Sequence, residues 1–365
     1  ANDLFGNSVA ISGTTAIVGA VWDDDNGDYS GSAYLFDATT GRQVAKLLAN
    51  DGAAGDFFGV SVAISGEIAI VGAVYHGDNG FRSGSAYLFD ISDPANPVQT
   101  AKLLADDGAE FDFFGGSVAI GPDGIGVIIG AVGDDDNGDW SGSAYLFDTT
   151  TGRQIVKLLA NDGAAIALFG NSVAISGSKA IVGAYADGDN GFQAGSAYIF
   201  DTSTGEQVFK LLPDDGAEFD SFGKSVAISG ITAVVGAPFD DDNGNRSGSA
   251  YLFNTTTGRQ IAKLLADDGA AGDEFGWSVA MSGPTAIVGA HFDDDNGSNS
   301  GSAYLFDASV CPWDLDNNGA VGILDLLALL AAWGPNPGAP PDFDGDGIVG
   351  ILDLLTLLAN WGPCV

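Results

Sequence analysis

Basic residues are scarce in this chain: 12 Lys and Arg stand against 49 Asp and Glu, a net charge of −37 over 365 residues. Such a surface repels phosphate backbones and anionic bilayers, which excludes nucleic acid as a partner and points to cations or basic surfaces. The shortage is uneven, because no Lys or Arg follows Lys263 while Asp clusters continue to the end. A single-sign field of this size repels itself unless metal ions neutralise part of it.

Long apolar runs are also missing. No stretch approaches the roughly 18 consecutive apolar residues of a spanning helix, which excludes membrane insertion of that kind. The chain opens at Ala1 without a charged segment and apolar core, so any secretion signal is expected to have been removed already. Only two histidines occur, His76 and His291, in loops of different repeats and without a visible Ser, Cys or Asp relay. No catalytic residue is assigned, and the chain reads as a non-enzyme. The only two cysteines, Cys311 and Cys364, bracket the C-terminal segment. A disulfide joining its ends is expected, and with it an oxidising, extracellular or cell-surface location.

What the chain has in abundance is repetition. Phe-Gly recurs at Phe5, Phe58, Phe114, Phe169, Phe222 and Phe275, with spacings of 53, 56, 55, 53 and 53. Each unit reads SVAIS, a turn, AIVGA, an acidic loop and GSAYLFD; in five of six a segment such as RQVAKLL follows. These are four short β-type runs separated by Gly and Asp turns. The two longer spacings come from loop insertions at Ser92 to Pro97 and Pro122 to Gly126. Four strands in about 50 residues, repeated without helices, predict a six-repeat all-β propeller over 1–309, followed by a small helical module over 310–365. Tyr34, Phe36 and their repeats are expected to pack between blades.

The segment FGNSVAISGTTAIVGAVWDDDNGDYSGSAYLFD resembles the bacterial relatives of the integrin-type FG-GAP repeat, and six copies in register cover Phe5 to Asp307. The resemblance implies a propeller of secreted and cell-surface proteins, often with calcium in its loops and adhesion or assembly as its role. The acidic run here follows the VGA strand instead of preceding it, so integrin ligand and calcium positions are not carried over.

The acidic loops are candidate hard-cation sites, since closely spaced carboxylates suit calcium. Their candidate ligands are Asp23 and Asp25, Asp78, Asp134 and Asp136, Asp187 and Asp189, Asp240 and Asp242, and Asp293 and Asp295. The competing reading is a tight turn, because Asn-Gly after the last acid supplies positive φ and Asp caps it. A second acidic loop precedes each Phe-Gly, as at Asp51, Asp107, Asp215 and Asp268.

The C-terminal segment carries two twelve-residue loops, DLDNNGAVGILD and DFDGDGIVGILD. In the first, Asp314, Asp316, Asn318, the carbonyl of Ala320 and Asp325 fall on positions one, three, five, seven and twelve of an EF-hand-type calcium loop. In the second, Asp342, Asp344, Asp346, the carbonyl of Ile348 and Asp353 do the same. All seven Asp after Cys311 fall on ligand positions. Asp at position twelve, with one short helix after each loop, resembles dockerin modules. Helices are expected from Leu324 to Trp333 and from Leu352 to Trp361, offering Leu326, Leu330, Trp333, Leu354, Leu358 and Trp361 to a partner. The resemblance implies docking to a cohesin-like protein; other copies of this chain are the second candidate.

The expected function is that of a secreted calcium-binding structural or adhesion protein that mediates extracellular assembly. No KLL-type segment follows the sixth unit, which leaves Gly301 to Asp307 as an open β edge and makes filament formation one form this assembly could take. The alternative is a carbohydrate-active enzyme or carbohydrate-binding propeller tethered to a scaffold through its dockerin-like module.

Overall fold

A computed structural model describes residues 3–308, 313, 315, 320–335, 341–343 and 347–363. The repeat units fold as six antiparallel blades, so the chain is an all-β propeller. Blade one runs Phe5–Ser12, Thr15–Ala20, Ser32–Asp37 and Arg42–Leu47, paired in chain order. Blades two to five repeat this pattern. Blade six has three strands, Phe275–Ser282, Thr285–Ala290 and Ser302–Asp307, and among the described residues nothing pairs with the outer edge of the last.

Alternation along each strand gives every blade two apolar faces. Ile17, Ala33, Leu35 and Leu47 on one face of blade one meet Phe58, Val71, Tyr87 and Phe89 on the opposing face of blade two, and the same set recurs between each later pair. The expected inter-blade role of the GSAYLFD aromatics is observed from Tyr87 and Phe89 onward, whereas Tyr34 and Phe36 of blade one join no inter-blade cluster among the described residues; in every blade the Phe of Phe-Gly sets edge-on against the Tyr and Phe of its own blade. A parallel bridge stitches each junction, from Gly31 to Phe58 in the first and Gly248 to Phe275 in the last. The VGA glycine lets the backbones meet: a Cβ on Gly130 would lie 1.9 Å from the carbonyl oxygen of Gly170 in the next blade.

Each of these apolar clusters joins neighbouring blades, and among the described residues none joins blade six to blade one. Phe5 is 57% exposed, whereas its five counterparts are at most 1% exposed. Leu305 of blade six is 73% exposed, against at most 3% for Leu35, Leu88, Leu146, Ile199 and Leu252.

In the C-terminal segment, α1 (Ile323–Ala331) and α2 (Ile351–Ala359) each begin within the last three positions of a twelve-residue loop. Both start one residue before the sequence-based expectation and stop two residues short of Trp333 and Trp361. There the chain turns through Gly334 and Gly362 at positive φ and enters short strands. Ala320–Val321 pairs with Gly362–Pro363, and Gly334–Pro335 pairs with Ile348–Val349, so each loop is tied to the segment after the other helix. Val321, Leu329, Val349 and Leu357 form a small core. Among the described residues no helix is long and apolar enough to cross a membrane.

Candidate functional site

In each blade, the loop after the VGA strand begins with a buried residue, Asp23, Asp134, Asp187, Asp240 or Asp293, and His76 in blade two. The Asp at this place accepts a hydrogen bond from the backbone of the acid two residues on: Asp136 N–H to Asp134 Oδ1 is 3.1 Å. It also accepts one from the tyrosine hydroxyl of its own blade, as at Tyr34 to Asp23 (2.9 Å) and Tyr251 to Asp240 (2.9 Å). The middle acid of the triple, Asp24, Asp135 or Asp241, accepts from the backbone N–H of Tyr29, Trp140 or Arg246. The Asn side chain reaches across to the second acidic loop, Asn137 Nδ2 donating to Ala160 O at 3.2 Å. Within the loop, each of these residues thus has a turn-building partner.

A lysine on the fourth strand completes the arrangement. Tyr145 pairs directly with Lys157 across the sheet, and the lysine reaches along the tyrosine ring into the loop. Lys157 Nζ lies 2.7 Å from Asp107, 2.8 Å from Asp134 and 2.7 Å from Asp136. Lys46 meets Asp23 and Asp25 at 2.8 and 2.6 Å. Lys210 contacts Asp162, Asp187 and Asp189, and Lys263 contacts Asp215, Asp240 and Asp242. In blade two Lys102 meets Asp51, Asp78 and His76 Nε2, while His76 Nδ1 lies 2.9 Å from Asp56. The two acidic loops, separate in sequence, converge on one ammonium.

Burial alone would push the Asp134 carboxyl up, but Lys157 and the Asp136 N–H outweigh it and hold it below the ordinary carboxylate value. Burial would likewise depress Lys157, but its three carboxylate partners hold the ammonium above the usual lysine range. The remaining acid of the second loop is structural: Asp112 and Asp220 are buried and accept the N–H of Ala109 and Ala217 at 2.6 and 2.7 Å. Burial pushes both up to about 6, against 3.8 for a free carboxyl.

Blade six departs from this pattern. Asp268, Asp293 and Asp295 converge as in the other blades, with ligand oxygens all within 4.8 Å of one another, and Tyr304 donates to Asp268 and Asp293 at 2.8 Å each. With no fourth strand among the described residues, no lysine reaches them.

In the C-terminal loops, Asp325 and Asp353 are buried. Asp325 accepts from Leu315 N–H at 2.5 Å and Gly322 N–H at 2.6 Å; Asp353 accepts from Phe343 N–H at 2.6 Å and Gly350 N–H at 2.7 Å. Position twelve is thus tied to position two of its own loop and caps the helix it opens. Asp342, at position one, accepts from Gly347 N–H at position six at 2.9 Å. The ligands that the sequence assigns to each loop are all oxygens, a set that fits a hard cation. Ala320 and Ile348 open the short strands of the two loops. Asp314, Asp316, Asn318, Asp344, Asp346, Cys311 and Cys364 lie outside the described residues.

Of the expected docking residues, Leu330, Trp333, Leu358 and Trp361 are exposed, whereas Leu326 and Leu354 pack against the small core. Leu324, Leu327, Leu352 and Leu355, not singled out in sequence, share the exposed set.

Blades stitched through Phe-Gly and closed by paired acidic loops define a repeat β-propeller. The chain belongs to the FG-GAP repeat family, whose profile matches residues 1–36, 42–89, 97–147, 153–200, 206–253 and 259–306. A search of the curated proteins gives no match to this chain.

Proposed function

We propose that this is a secreted, non-enzymatic, calcium-binding assembly protein, in which the propeller acts as a binding body and the dockerin-like C-terminal module as a calcium-ordered docking unit. The propeller fold is consistent with a role in adhesion or binding. The observation that carries the reading is the pair of buried carboxylates, Asp325 and Asp353, each bonded to the N–H at position two of its loop and to the residue that begins a helix with an apolar exposed side. Asp314, Asp316, Asn318 and Asp325, with the Ala320 carbonyl, would hold one ion; Asp342, Asp344, Asp346 and Asp353, with the Ile348 carbonyl, the other. Calcium there would neutralise carboxylates that otherwise repel one another and would fix the helices that present Leu330, Trp333, Leu358 and Trp361. In blades one to five a lysine already supplies positive charge to the acidic loops, so the calcium assignment rests on the C-terminal pair. The partner is another copy of the chain or a cohesin-like protein; where the docking face of one copy meets a different surface of the next, the contact is head-to-tail and propagates as a filament if it does not close.

Sedimentation velocity with calcium and with a chelator tests the docking role. Association in calcium, lost in the chelator and in Leu330→Ser with Leu358→Ser, is expected. A strictly monomeric species at high concentration in calcium contradicts self-assembly.

A further inference from the structure

Blade two differs from the others within its acidic loops, where His76 stands in the place that Asp23, Asp134, Asp187, Asp240 and Asp293 fill elsewhere. His76 is 7% exposed, and its Nδ1 lies 2.9 Å from the buried carboxylate of Asp56. A carboxylate at that distance takes the Nδ1 proton and leaves the Nε2 lone pair turned toward the loop. There Nε2 meets Asp78 Oδ1 at 3.1 Å, Asp51 Oδ2 at 4.0 Å and the Lys102 ammonium at 2.7 Å. Protons cannot satisfy all of these contacts. With Nε2 bare, its lone pair accepts from Lys102 but opposes the lone pairs of Asp78; with Nε2 protonated, it donates to Asp78 but sets a second positive charge against the ammonium. The histidine also strands a tyrosine. Tyr34, Tyr145, Tyr198, Tyr251 and Tyr304 each donate to the first acid of their own loop. The hydroxyl of Tyr87, a wholly buried residue, has no hydrogen-bond partner among the described residues. Its ring stands edge-on to His76, and burial, with the charges of Asp51, Asp56 and Asp78 beside it, keeps the hydroxyl protonated well above the usual tyrosine range. It remains a proton donor facing the cluster.

We propose that blade two binds one divalent ion of the zinc type through His76 Nε2, Asp51 and Asp78, in place of the Lys102 ammonium. The three ligand atoms lie within 4.8 Å of one another. Atoms bound tetrahedrally about 2 Å from one ion stand roughly 3.3 Å apart, so modest side-chain adjustment brings these to bonding distance. Lys102 Nζ, 2.7 Å from both His76 Nε2 and Asp51 and bonded to Asp78, already places a positive charge where the ion would sit. An ion there accepts the lone pairs of Nε2 and Asp78 together, which removes the conflict that no placement of protons resolves. Displaced, the ammonium moves to the surface, since Asp51 and Asp78 are themselves exposed. Asp56 acts from behind the ring as the carboxylate that orients a metal-bound histidine, and a water on the fourth position gives the Tyr87 hydroxyl its acceptor. The ring nitrogen sets the class of ion, because imidazole suits zinc and its transition-metal neighbours whereas calcium and magnesium take oxygen. In blades one, three, four and five the lysine's loop partners are all carboxylates, so no such conflict arises there. The site does not rest on the calcium loops of the C-terminal segment.

Zinc titration of the full, unreduced chain by calorimetry tests this, in excess calcium so that oxygen-only sites are filled beforehand. One zinc site is expected. The chain has only two histidines, so ring-nitrogen NMR reads the ligand directly: zinc should shift Nε2 of His76 and leave His291 in place. His76→Asp gives blade two the residue that the five other blades carry, which keeps the fold, and should weaken zinc binding at least about tenfold while leaving the calcium titration unchanged. Lys102→Met removes the competing ammonium and should tighten zinc binding roughly tenfold, the worth of the two half-exposed ion pairs that the metal no longer has to break. Absence of zinc binding, affinity unchanged in either variant, or a shift confined to His291 overturns the proposal. A His76 ring that responds to pH and not to zinc also overturns it, and assigns the position to a proton.

Discussion

The ammonium of Lys157 lies 2.8 Å from the buried carboxylate of Asp134, joining the outermost strand of blade three to the loop that leaves its second strand. Asp107, from the loop that follows blade two, shares the same ammonium, so the contact also ties one blade to the next. Lys157→Met leaves three converging carboxylates without a counter-charge. Because Asp107 and Asp136 are half exposed, the loss should be below that of a fully buried pair, about 2 kcal/mol. Chemical denaturation measures it.

Gly130→Ala should destabilise the chain by at least about 2 kcal/mol, because its new methyl group would meet the Gly170 carbonyl of the following blade at 1.9 Å and one of the two backbones must move. Gly289→Ala provides the comparison. There a Cβ meets only Ser278 Oγ at 2.5 Å, a side-chain contact that Gly130 also makes with Ser117 at 2.4 Å. The difference between the two melting temperatures reports the inter-blade contact alone.

Burial raises Asp112 and Asp220 in the folded chain to about 6 from 3.8. A raised carboxyl favours the fold where it is protonated, so its contribution is fully present below the unfolded value and is lost as pH rises through about 6. Two pH units correspond to about 3 kcal/mol, which access of solvent to the loop reduces to roughly 1. Asp112→Asn keeps an acceptor for the Ala109 N–H and should stabilise the protein at pH about 7.5 by that amount, with the gain vanishing near pH about 4. Denaturant midpoints at the two pH values give the answer.

Thiol labelling of the unreduced, denatured protein should find neither Cys311 nor Cys364 reactive. A bond between them closes a loop of 53 residues and should stabilise the C-terminal module by a few kcal/mol. Two labelled cysteines would exclude the bond.

The blades were legible in the sequence because a period-two strand pattern and a fixed repeat leave few alternatives, and the aromatic positions followed from alternation. The lysine was not read as part of the acidic loops. Lys157 stands 23 positions after Asp134, and only the cross-strand pairing of Tyr145 with Lys157 brings them together. A signal existed, since Lys46, Lys102, Lys157, Lys210 and Lys263 recur in register with the loops. Nor did composition foretell the left-handed backbone of Leu4, Phe57, Phe113, Leu168, Ser221 and Glu274 before each Phe-Gly. A turn hydrogen bond to the carbonyl of that residue from the N–H three positions on, as Asn7 to Leu4 and Gly116 to Phe113, recurs in all six blades and accompanies a conformation that these residues disfavour in isolation. In the C-terminal helices, leucines on several sides hid the true register, and so Leu326 was expected on the exposed face while Leu327 was overlooked.

Calorimetric titration of the full chain with calcium tests the central claim most directly. Two sites are expected in the parent protein, one in Asp314→Ala, and none in Asp314→Ala combined with Asp342→Ala. No calcium-dependent heat in the parent, or an unchanged stoichiometry in the double variant, would contradict the account.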